Sequence, residues 1–267
     1  APDDAAHPEP NDFRGLHYPL GNWTPAPDSP HEVAPGLFWM RLPLPMSLNH
    51  INLWLLAEND GWTLVDTGLS THVCREVWQR VFDGFLRGAR LKRMIVTHYH
   101  PDHFGLAGWL QERTGAALWM ARNEYLMGCM LTFGGTPTPP DAALDFYRRA
   151  GWSEAWIDGL KTQGWNNFAR RMSKPPLGYR QLTHGLKLVI GGRTWRVVTG
   201  TGHSPEHSCL VCDEDRLMLS GDQVLPRITS LSAAVTLASV AASSALVASS
   251  RIRIGGSLSK ARAIERR

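Results

Sequence analysis

The segment from Thr97 to His103 constrains this chain of 267 residues more than any other. It reads Thr-His-Tyr-His-Pro-Asp-His and directly follows the apolar run at residues 94–96. Such a run predicts a buried strand, and the loop after a strand can turn its side chains around a metal ion. Neutral imidazole nitrogens and carboxylate oxygens are ligands that Zn²⁺ takes in catalytic sites. The sequence therefore predicts a metal-binding loop. Its candidate ligands are His98, His100, Asp102 and His103.

Three further segments place polar residues beside apolar runs. Residues 64–68 read Leu-Val-Asp-Thr-Gly, residues 201–208 read Thr-Gly-His-Ser-Pro-Glu-His-Ser, and residues 219–222 read Leu-Ser-Gly-Asp. Together with the H-x-H-x-D-H loop, these motifs resemble in kind and order those of the metallo-β-lactamase-fold hydrolases. The resemblance runs from about residue 37 to about residue 227. It implies an α/β fold, the αββα sandwich of that family, with the site at one edge of the sheets.

The resemblance also implies a set of ligands. A first metal would be held by His98, His100 and His203, and a second by Asp102 and His103, with Asp222 bridging the two. Zn²⁺ is the expected cofactor, as one ion or two, and Fe or Mn also suits a His/Asp site. Two further residues, Asp66 and His207, are expected to support the ligands rather than to join them.

The reaction implied by the resemblance is a hydrolysis. Two cations about 3.5–4 Å apart lower the pKa of a shared water, so that hydroxide is available near neutral pH. This metal-activated hydroxide would attack the acyl carbon of the substrate, and a metal would stabilise the resulting oxyanion. Asp102 is the expected catalytic residue, because it is placed to orient the hydroxide and to accept its proton.

Asp222 bears on the choice of substrate. Within the superfamily, dedicated β-lactamases usually carry Cys or Ser at this position, whereas thioesterases of the glyoxalase II kind, lactonases and phosphodiesterases carry Asp. We therefore expect a small-molecule acyl thioester, ester or lactone as substrate, with the thioester slightly preferred. Two alternatives stay open: a β-lactamase or phosphodiesterase activity, and a metal-binding protein whose catalysis is lost or impaired.

Charge is unevenly distributed along the chain. The whole sequence has 28 basic and 24 acidic residues, a net charge of +4. Residues 251–267 hold six of the basic residues and one of the acidic ones, which leaves 22 basic and 23 acidic residues in the first 250. The basic character thus belongs to the C-terminal end, and we expect no nucleic-acid partner for the body of the protein.

The four cysteines are too few and too scattered for a disulfide scaffold. Cys209 and Cys212 lie in an apolar run, where residues three apart point to opposite faces of a strand, so we interpret them as buried free thiols. No signal peptide is recognised at the start of the sequence. These features favour a cytoplasmic location, and the oligomeric state is left open.

Strand-like and helix-like patterns alternate over residues 37–228, which we interpret as one metallo-hydrolase domain. Residues 1–36, rich in Pro, Asp and His, are interpreted as an extended N-terminal arm. Apolar spacing predicts helices at residues 73–86 and 104–113. A lid-like helical insertion is expected at residues 121–178, between the metal loop and His203. Its predicted helices span residues 123–131, 141–150, 153–160 and 165–172.

The last segment, residues 229–267, departs from the family. It contains no His, Asp, Phe, Trp or Tyr, and no His follows His207, whereas the family has a last His that binds the second metal. We favour a shifted reading frame or a truncation near residue 229, which would weaken the second metal site. A divergent native tail is one alternative. A membrane anchor at residues 231–250 is the least favoured, because Ala, Ser and Thr insert poorly.

Overall fold

The computed structural model describes residues 10–13, 16–134, 138–163, 165, 168–224, 246–249 and 256–257. Over these residues it has fifteen strands, six α-helices and one short 3-10 helix, Ala169–Arg171. The strands are β1 Asn11–Phe13, β2 Leu16–Tyr18, β3 His31–Ala34, β4 Leu37–Pro43, β5 His50–Glu58, β6 Gly61–Val65, β7 Leu91–Val96, β8 Ala117–Ala121, β9 Arg180–Leu182, β10 Lys187–Ile190, β11 Arg193–Gly200, β12 His207–Cys212, β13 Leu217–Gly221, β14 Leu246–Ser249 and β15 Gly256–Ser257. The helices are α1 His72–Asp83, α2 Pro101–Phe104, α3 Ala107–Thr114, α4 Arg122–Phe133, α5 Asp141–Arg149 and α6 Glu154–Gln163.

The strands form two sheets. The first sheet has seven strands in the order β3-β4-β5-β6-β7-β8-β9, and the second has eight in the order β1-β2-β15-β14-β13-β12-β11-β10. In the first sheet β3 to β6 are antiparallel, whereas β6, β7, β8 and β9 run parallel to one another. In the second sheet β10 to β13 are antiparallel.

Side chains of the first sheet alternate between two apolar layers. On one face Leu53 packs with Val77 and Trp78 of helix α1. On the other face Trp54 packs in a cluster with Trp195 of the second sheet. A shift of one residue in strand register would exchange these two faces, so the alternation fixes the register. Helices, first sheet and second sheet are thus stacked, and the predicted α/β sandwich is confirmed.

One edge of the sandwich gathers the polar motifs. Strands β6, β7 and β8 are parallel and therefore end at the same edge, where Asp66, the metal loop and helix α4 follow them. The turn between β11 and β12 reaches this edge from the second sheet, since the backbone N–H of Ser208 donates to the carbonyl of Thr97 at 2.9 Å. Both sheets therefore supply loops to one place.

Two helix predictions need correction. The helix expected at residues 104–113 starts earlier, at Pro101, and is divided into α2 and α3, because the backbone N–H of Leu106 donates to the carbonyl of Gly68 at 3.0 Å. The helix expected at residues 165–172 is wrong. Among the described residues of this stretch only the 3-10 turn Ala169–Arg171 is helical, and the chain then extends so that the backbone N–H of Ser173 donates to the carbonyl of Gly105 at 2.7 Å.

The other three helices predicted in the insertion are present as α4, α5 and α6. Helix α4 is anchored beside the metal loop, because a Cβ at Gly128 would lie 2.8 Å from the ring of Phe104. Tyr147 of α5 packs edge-on against Trp156 of α6, with ring centroids 5.0 Å apart. The idea that residues 121–178 form a lid over the site stays a prediction.

The arm and the tail both contribute strands. Within the arm, β3 pairs with β4 of the first sheet, and β2 pairs with β15 of the second. Strand β14 of the tail lies parallel to β13 and joins it to β15. The remainder of residues 229–267, including most of the 231–250 stretch, lies outside the described residues, so the interpretation of the tail stays a prediction. In the described part of the chain no helix has the length and apolar character needed to cross a bilayer.

Candidate metal centre

A buried hydrogen-bond network around Asp66 orients two of the histidines. The Asp66 carboxylate accepts hydrogen bonds from the backbone N–H of Thr97 at 2.8 Å and from the Thr97 hydroxyl at 3.0 Å. Because that hydroxyl donates its single proton to Asp66, it accepts from Nδ1–H of His98, 3.1 Å away. His103 donates from Nδ1 to Asp66 at 2.8 Å. Both rings are therefore turned with Nε2 pointing away from Asp66.

Three imidazole nitrogens meet at the sheet edge. Nε2 of His98 lies 2.8 Å from Nδ1 of His100, and Nε2 of His203 lies 3.1 and 3.2 Å from these two atoms. An Asp222 oxygen lies 3.3 Å from Nε2 of His203. A tetrahedral ion bound at about 2.0–2.1 Å would separate its nitrogen ligands by about 3.3 Å. These four residues, which we call the first cluster, therefore have the spacing of a single metal site.

A second cluster, formed by Asp102, His103 and Asp222, adjoins the first. Nε2 of His103 lies 3.7 Å from an Asp102 oxygen and 3.5 Å from Oδ1 of Asp222. This nitrogen is buried and makes no hydrogen bond within the described part of the chain. The other Asp222 oxygen, Oδ2, faces His203. The structure thus brings all six predicted ligands together, in two groups that share Asp222.

His207 is buried beside the clusters, and its Nε2 atom is already engaged. It accepts a hydrogen bond from the backbone N–H of Asp222 at 3.1 Å. Gly221 makes this contact feasible: its backbone is left-handed, with a φ of +50°, and a Cβ there would lie 2.7 Å from two atoms of the His207 ring. His207 is thus placed to support the backbone of Asp222, and its predicted supporting role stays open to test.

Burial and neighbouring charges divide the histidines into two kinds. Burial, reinforced by the surrounding imidazoles, lowers the pKa of His98 well below its usual value and lowers the pKa of His100 to about 4. Both rings are therefore neutral at pH 7 and offer lone pairs to a cation. Burial also opposes protonation of His103, but the nearby carboxylates, Asp66 foremost, outweigh it and raise its pKa to about 9. The second cluster thus attracts positive charge.

Glu124 is a site residue that the sequence analysis missed. It is fully buried in the first turn of α4, and its carboxylate accepts a hydrogen bond at 2.9 Å from the backbone N–H of Tyr99, between His98 and His100. Burial raises the pKa of this carboxyl group above its usual value. One signal could have revealed it: Glu124 is the single carboxylate of α4, at the start of the helix directly after the strand beside β7.

A family model decides the identity of the fold. The model described as the metallo-beta-lactamase superfamily matches residues 47–253, which include the metal loop and the 201–208 and 219–222 motifs. The chain belongs to the metallo-beta-lactamase superfamily. The match extends beyond residue 229 into the tail. The superfamily is hydrolytic and its fold typically binds metal ions.

Three relatives illustrate the similarity. Acyl-coenzyme A thioesterase MBLAC2 of Gallus gallus is 26% identical over 199 residues, which cover 72% of this chain and 64% of that protein. Lactamase-like protein nscB of Trichophyton rubrum is 32% identical over 182 residues, which cover 67% of this chain and 40% of that protein. The chain therefore spans less than two thirds of the length of either curated relative. Among solved structures, a beta-lactamase domain protein from Burkholderia ambifaria is 39% identical with a TM-score of 0.81, and the match covers 91% of this chain and 74% of that one.

Proposed function

We propose that this superfamily member is a metal-dependent thioesterase, which hydrolyses an acyl thioester to a carboxylic acid and a thiol. The observation that carries the proposal is the convergence of imidazole nitrogens of His98, His100 and His203, 2.8–3.2 Å apart, beside the carboxylate of Asp222. Neutral imidazoles crowded at this spacing gain little from one another, whereas one cation satisfies all three lone pairs.

The donor set fits a divalent ion, with Zn²⁺ preferred and Fe or Mn also suited to nitrogen and carboxylate oxygen. The first cluster would hold one ion. Asp102 and His103, with the shared Asp222, would hold another. When bound, such ions polarise a carbonyl group and lower the pKa of water.

Asp102 is the candidate catalytic residue. It is 8% exposed, and its Oδ2 atom lies 3.7 Å from Nε2 of His103, at the boundary between the buried centre and solvent. In the proposed reaction a water oxygen attacks the acyl carbon while a carboxylate oxygen of Asp102 accepts the water proton. The carbon–sulfur bond then breaks, and the proton passes to the departing sulfur. The Asp66–His103 hydrogen bond keeps the neighbouring ring in a fixed orientation during these steps.

Two observations favour a thioester among acyl substrates. The curated relative from Gallus gallus is named an acyl-coenzyme A thioesterase, and it aligns over 72% of this chain. The bridging position carries Asp222, the residue expected of thioesterases and lactonases rather than of dedicated β-lactamases.

A substrate panel tests the proposal. Purified protein loaded with Zn²⁺, Fe²⁺ or Mn²⁺ is assayed against an acyl-coenzyme A, the oxygen ester of the same acyl group, a lactone, a β-lactam and a phosphodiester. We expect kcat/KM for the thioester to exceed the others by at least about tenfold, a difference of about 1.4 kcal/mol in transition-state stabilisation. His72→Ala, an exposed change on α1, should leave the rates unchanged. A preference for the lactone or the β-lactam would contradict the thioesterase assignment.

One observation favours a second candidate function, that of a metal-binding protein with impaired turnover. No His follows His207 in the sequence, and among the described residues the second cluster has Asp102 and His103 as its own donors. The panel separates the two functions: binding of metal without hydrolysis of any of the five substrates would favour the impaired protein.

A further inference from the structure

We infer that Glu124, on the inserted helix α4, is a positioning residue of the metal centre, because its carboxylate bridges the two loops that carry His98, His100 and His203. This inference rests on the metal centre proposed above. It assigns to the insertion a role in setting the spacing of the ligands, separate from any role as a cover for the substrate.

Each oxygen of the carboxylate serves a different loop. Oε2 accepts the backbone N–H of Tyr99 at 2.9 Å, and Tyr99 separates His98 from His100. Oε1 accepts the hydroxyl of Ser204 at 2.8 Å and the backbone N–H of Glu206 at 2.5 Å, in the turn that begins with His203. We call these three contacts the Glu124 bridge. They join segments 25 residues before and about 80 residues after Glu124 in the chain.

A reciprocal contact strengthens the bridge at the start of α4. The Glu206 carboxylate accepts the backbone N–H of Asn123 at 3.1 Å, so helix and turn each donate to and accept from the other. Helix N-termini favour a nearby carboxylate because their backbone N–H groups lack partners within the helix. The turn therefore cannot move relative to α4 without breaking hydrogen bonds in both directions.

A buried carboxylate demands its partners. Glu124 is 0% exposed, and a buried carboxylate left without hydrogen bonds strongly destabilises the folded state. Three donors from the two loops satisfy the Glu124 carboxylate. The side chain can therefore be buried only while both loops keep this geometry. The backbone hydrogen bond from Ser208 to Thr97 also ties the two loops. That tie lies at the strand ends, whereas the Glu124 bridge lies beside the ligands themselves.

Glutamine cannot reproduce the bridge although it has the same shape. Its single carbonyl oxygen can accept from one loop, and its NH₂ group would then face an N–H or O–H donor of the other loop. Glu124→Gln should therefore release one loop while leaving the volume of the side chain unchanged. The matched control is Glu112→Gln, the same chemical change at an exposed position on α3.

The test uses Co²⁺ alone as the probe, because its visible d–d absorption reports the geometry of the ligands. We expect Glu124→Gln to weaken binding of the first Co²⁺ equivalent by about 10–100-fold and to alter the spectrum of the bound ion, as loss of a supporting hydrogen bond does at other metal sites. Glu112→Gln should match the wild type in both. Hydrogen exchange of the Tyr99 and Glu206 amides in the metal-free protein should become faster in Glu124→Gln only.

The outcomes separate this inference from the metal centre on which it rests. Wild-type protein that binds no Co²⁺ would overturn the centre itself. Unchanged affinity and spectrum in folded Glu124→Gln, even with a lower unfolding temperature, would overturn the positioning role and leave Glu124 as an anchor of α4. If Glu124→Gln does not fold, Ser204→Ala and Ser204→Thr replace it. A severalfold loss of Co²⁺ affinity in Ser204→Ala that Ser204→Thr restores supports the bridge, and equal affinities in these two variants overturn it.

Discussion

The two clusters of the metal centre share Asp222 but are built in different ways. The first combines loops from both sheets, and its atoms lie 2.8–3.3 Å apart. The second takes Asp102 and His103 from the single short helix α2, and its neighbouring atoms lie 3.5–3.7 Å apart. Loops distant in the chain therefore supply the three imidazoles of the first cluster, whereas Asp102 and His103 of the second are adjacent residues, completed by Asp222 and oriented through Asp66. With three imidazoles, the first should bind its ion more tightly.

We expect the largest effect on metal affinity from a substitution in the first cluster alone. His203→Ala removes one of three nitrogen ligands and should lower the affinity for the first metal equivalent by more than about 100-fold, above the loss typical of a supporting residue. His103→Ala should leave that equivalent in place and remove the second. Elemental analysis after dialysis against limiting Zn²⁺ measures both. Equal losses in the two variants would contradict the division into clusters.

Asp66→Asn tests the difference between the clusters by disturbing the second one, through the hydrogen bond to His103. Asp66→Asn tolerates the left-handed backbone at this position, where φ is 63°, but its amide cannot accept from both Thr97 and His103. We expect the single amide oxygen to keep the hydrogen bond from the backbone N–H of Thr97, so Nδ1–H of His103 should lose its acceptor. We expect the second equivalent to bind about 10–100-fold more weakly, with a smaller change in the first. Isothermal titration with Zn²⁺ resolves the two steps, and a larger loss in the first would reverse this assignment.

Gly221→Ala tests the support of Asp222, the residue that both clusters share, because Gly221 precedes it and packs against the His207 ring. A Cβ at this position would displace the His207 ring, and the left-handed backbone costs an alanine about 1–2 kcal/mol. We expect the free energy of unfolding of the metal-free protein to fall by at least that amount. Gly115→Ala, at a left-handed position with no atom near the added Cβ, controls for the backbone cost. Equal stability in the two variants would show that the His207 contact contributes nothing.

The smallest effect concerns pH and the Glu124 bridge. Burial raises the pKa of Glu124 above its usual 4.5, so the native state binds this proton more tightly than the unfolded chain does. Relative to Glu124→Gln, the metal-free wild type should therefore gain stability as pH falls through the raised native pKa, and the gain is complete below about 4.5. One proton limits the slope to about 1.4 kcal/mol per pH unit. Urea unfolding of both proteins between pH 4 and 7 measures the difference, and a gain with rising pH would refute it.

The resemblance of the motifs to a known family predicted the sandwich. Local apolar patterns predicted an alternation of strands and helices over residues 37–228 and the buried strand before His98, because such patterns depend only on neighbours in the chain. The predicted helix boundaries were wrong where backbone N–H groups donate to carbonyl groups far away in the sequence. The backbone N–H of Ser173 donates to the carbonyl of Gly105, and the extended chain at this contact follows the 3-10 turn Ala169–Arg171 where a helix was predicted over residues 165–172.

The candidate ligands could be predicted for a similar reason, since most stand in compact motifs beside strands. Their supports could not. Thr97 lies inside the motif, yet its hydrogen bonds to Asp66 and His98 depend on two parallel strands ending side by side. The role of Glu124 is harder still to predict, because its partners Tyr99 and Ser204 lie 25 and 80 residues away in the sequence and nothing in its own segment indicates them.

The Glu124 bridge also limits how freely the helical insertion can be exchanged. A chimaera that keeps the sandwich but takes its insertion from another protein would inherit a different side chain beneath the two ligand loops. On this inference such a graft needs a carboxylate at the third residue of its first helix, and a small residue one turn later to match Gly128, which packs against Phe104. The start of the insertion is thus part of the scaffold of the centre, and the natural junction for exchange lies after residue 134, beyond the end of α4.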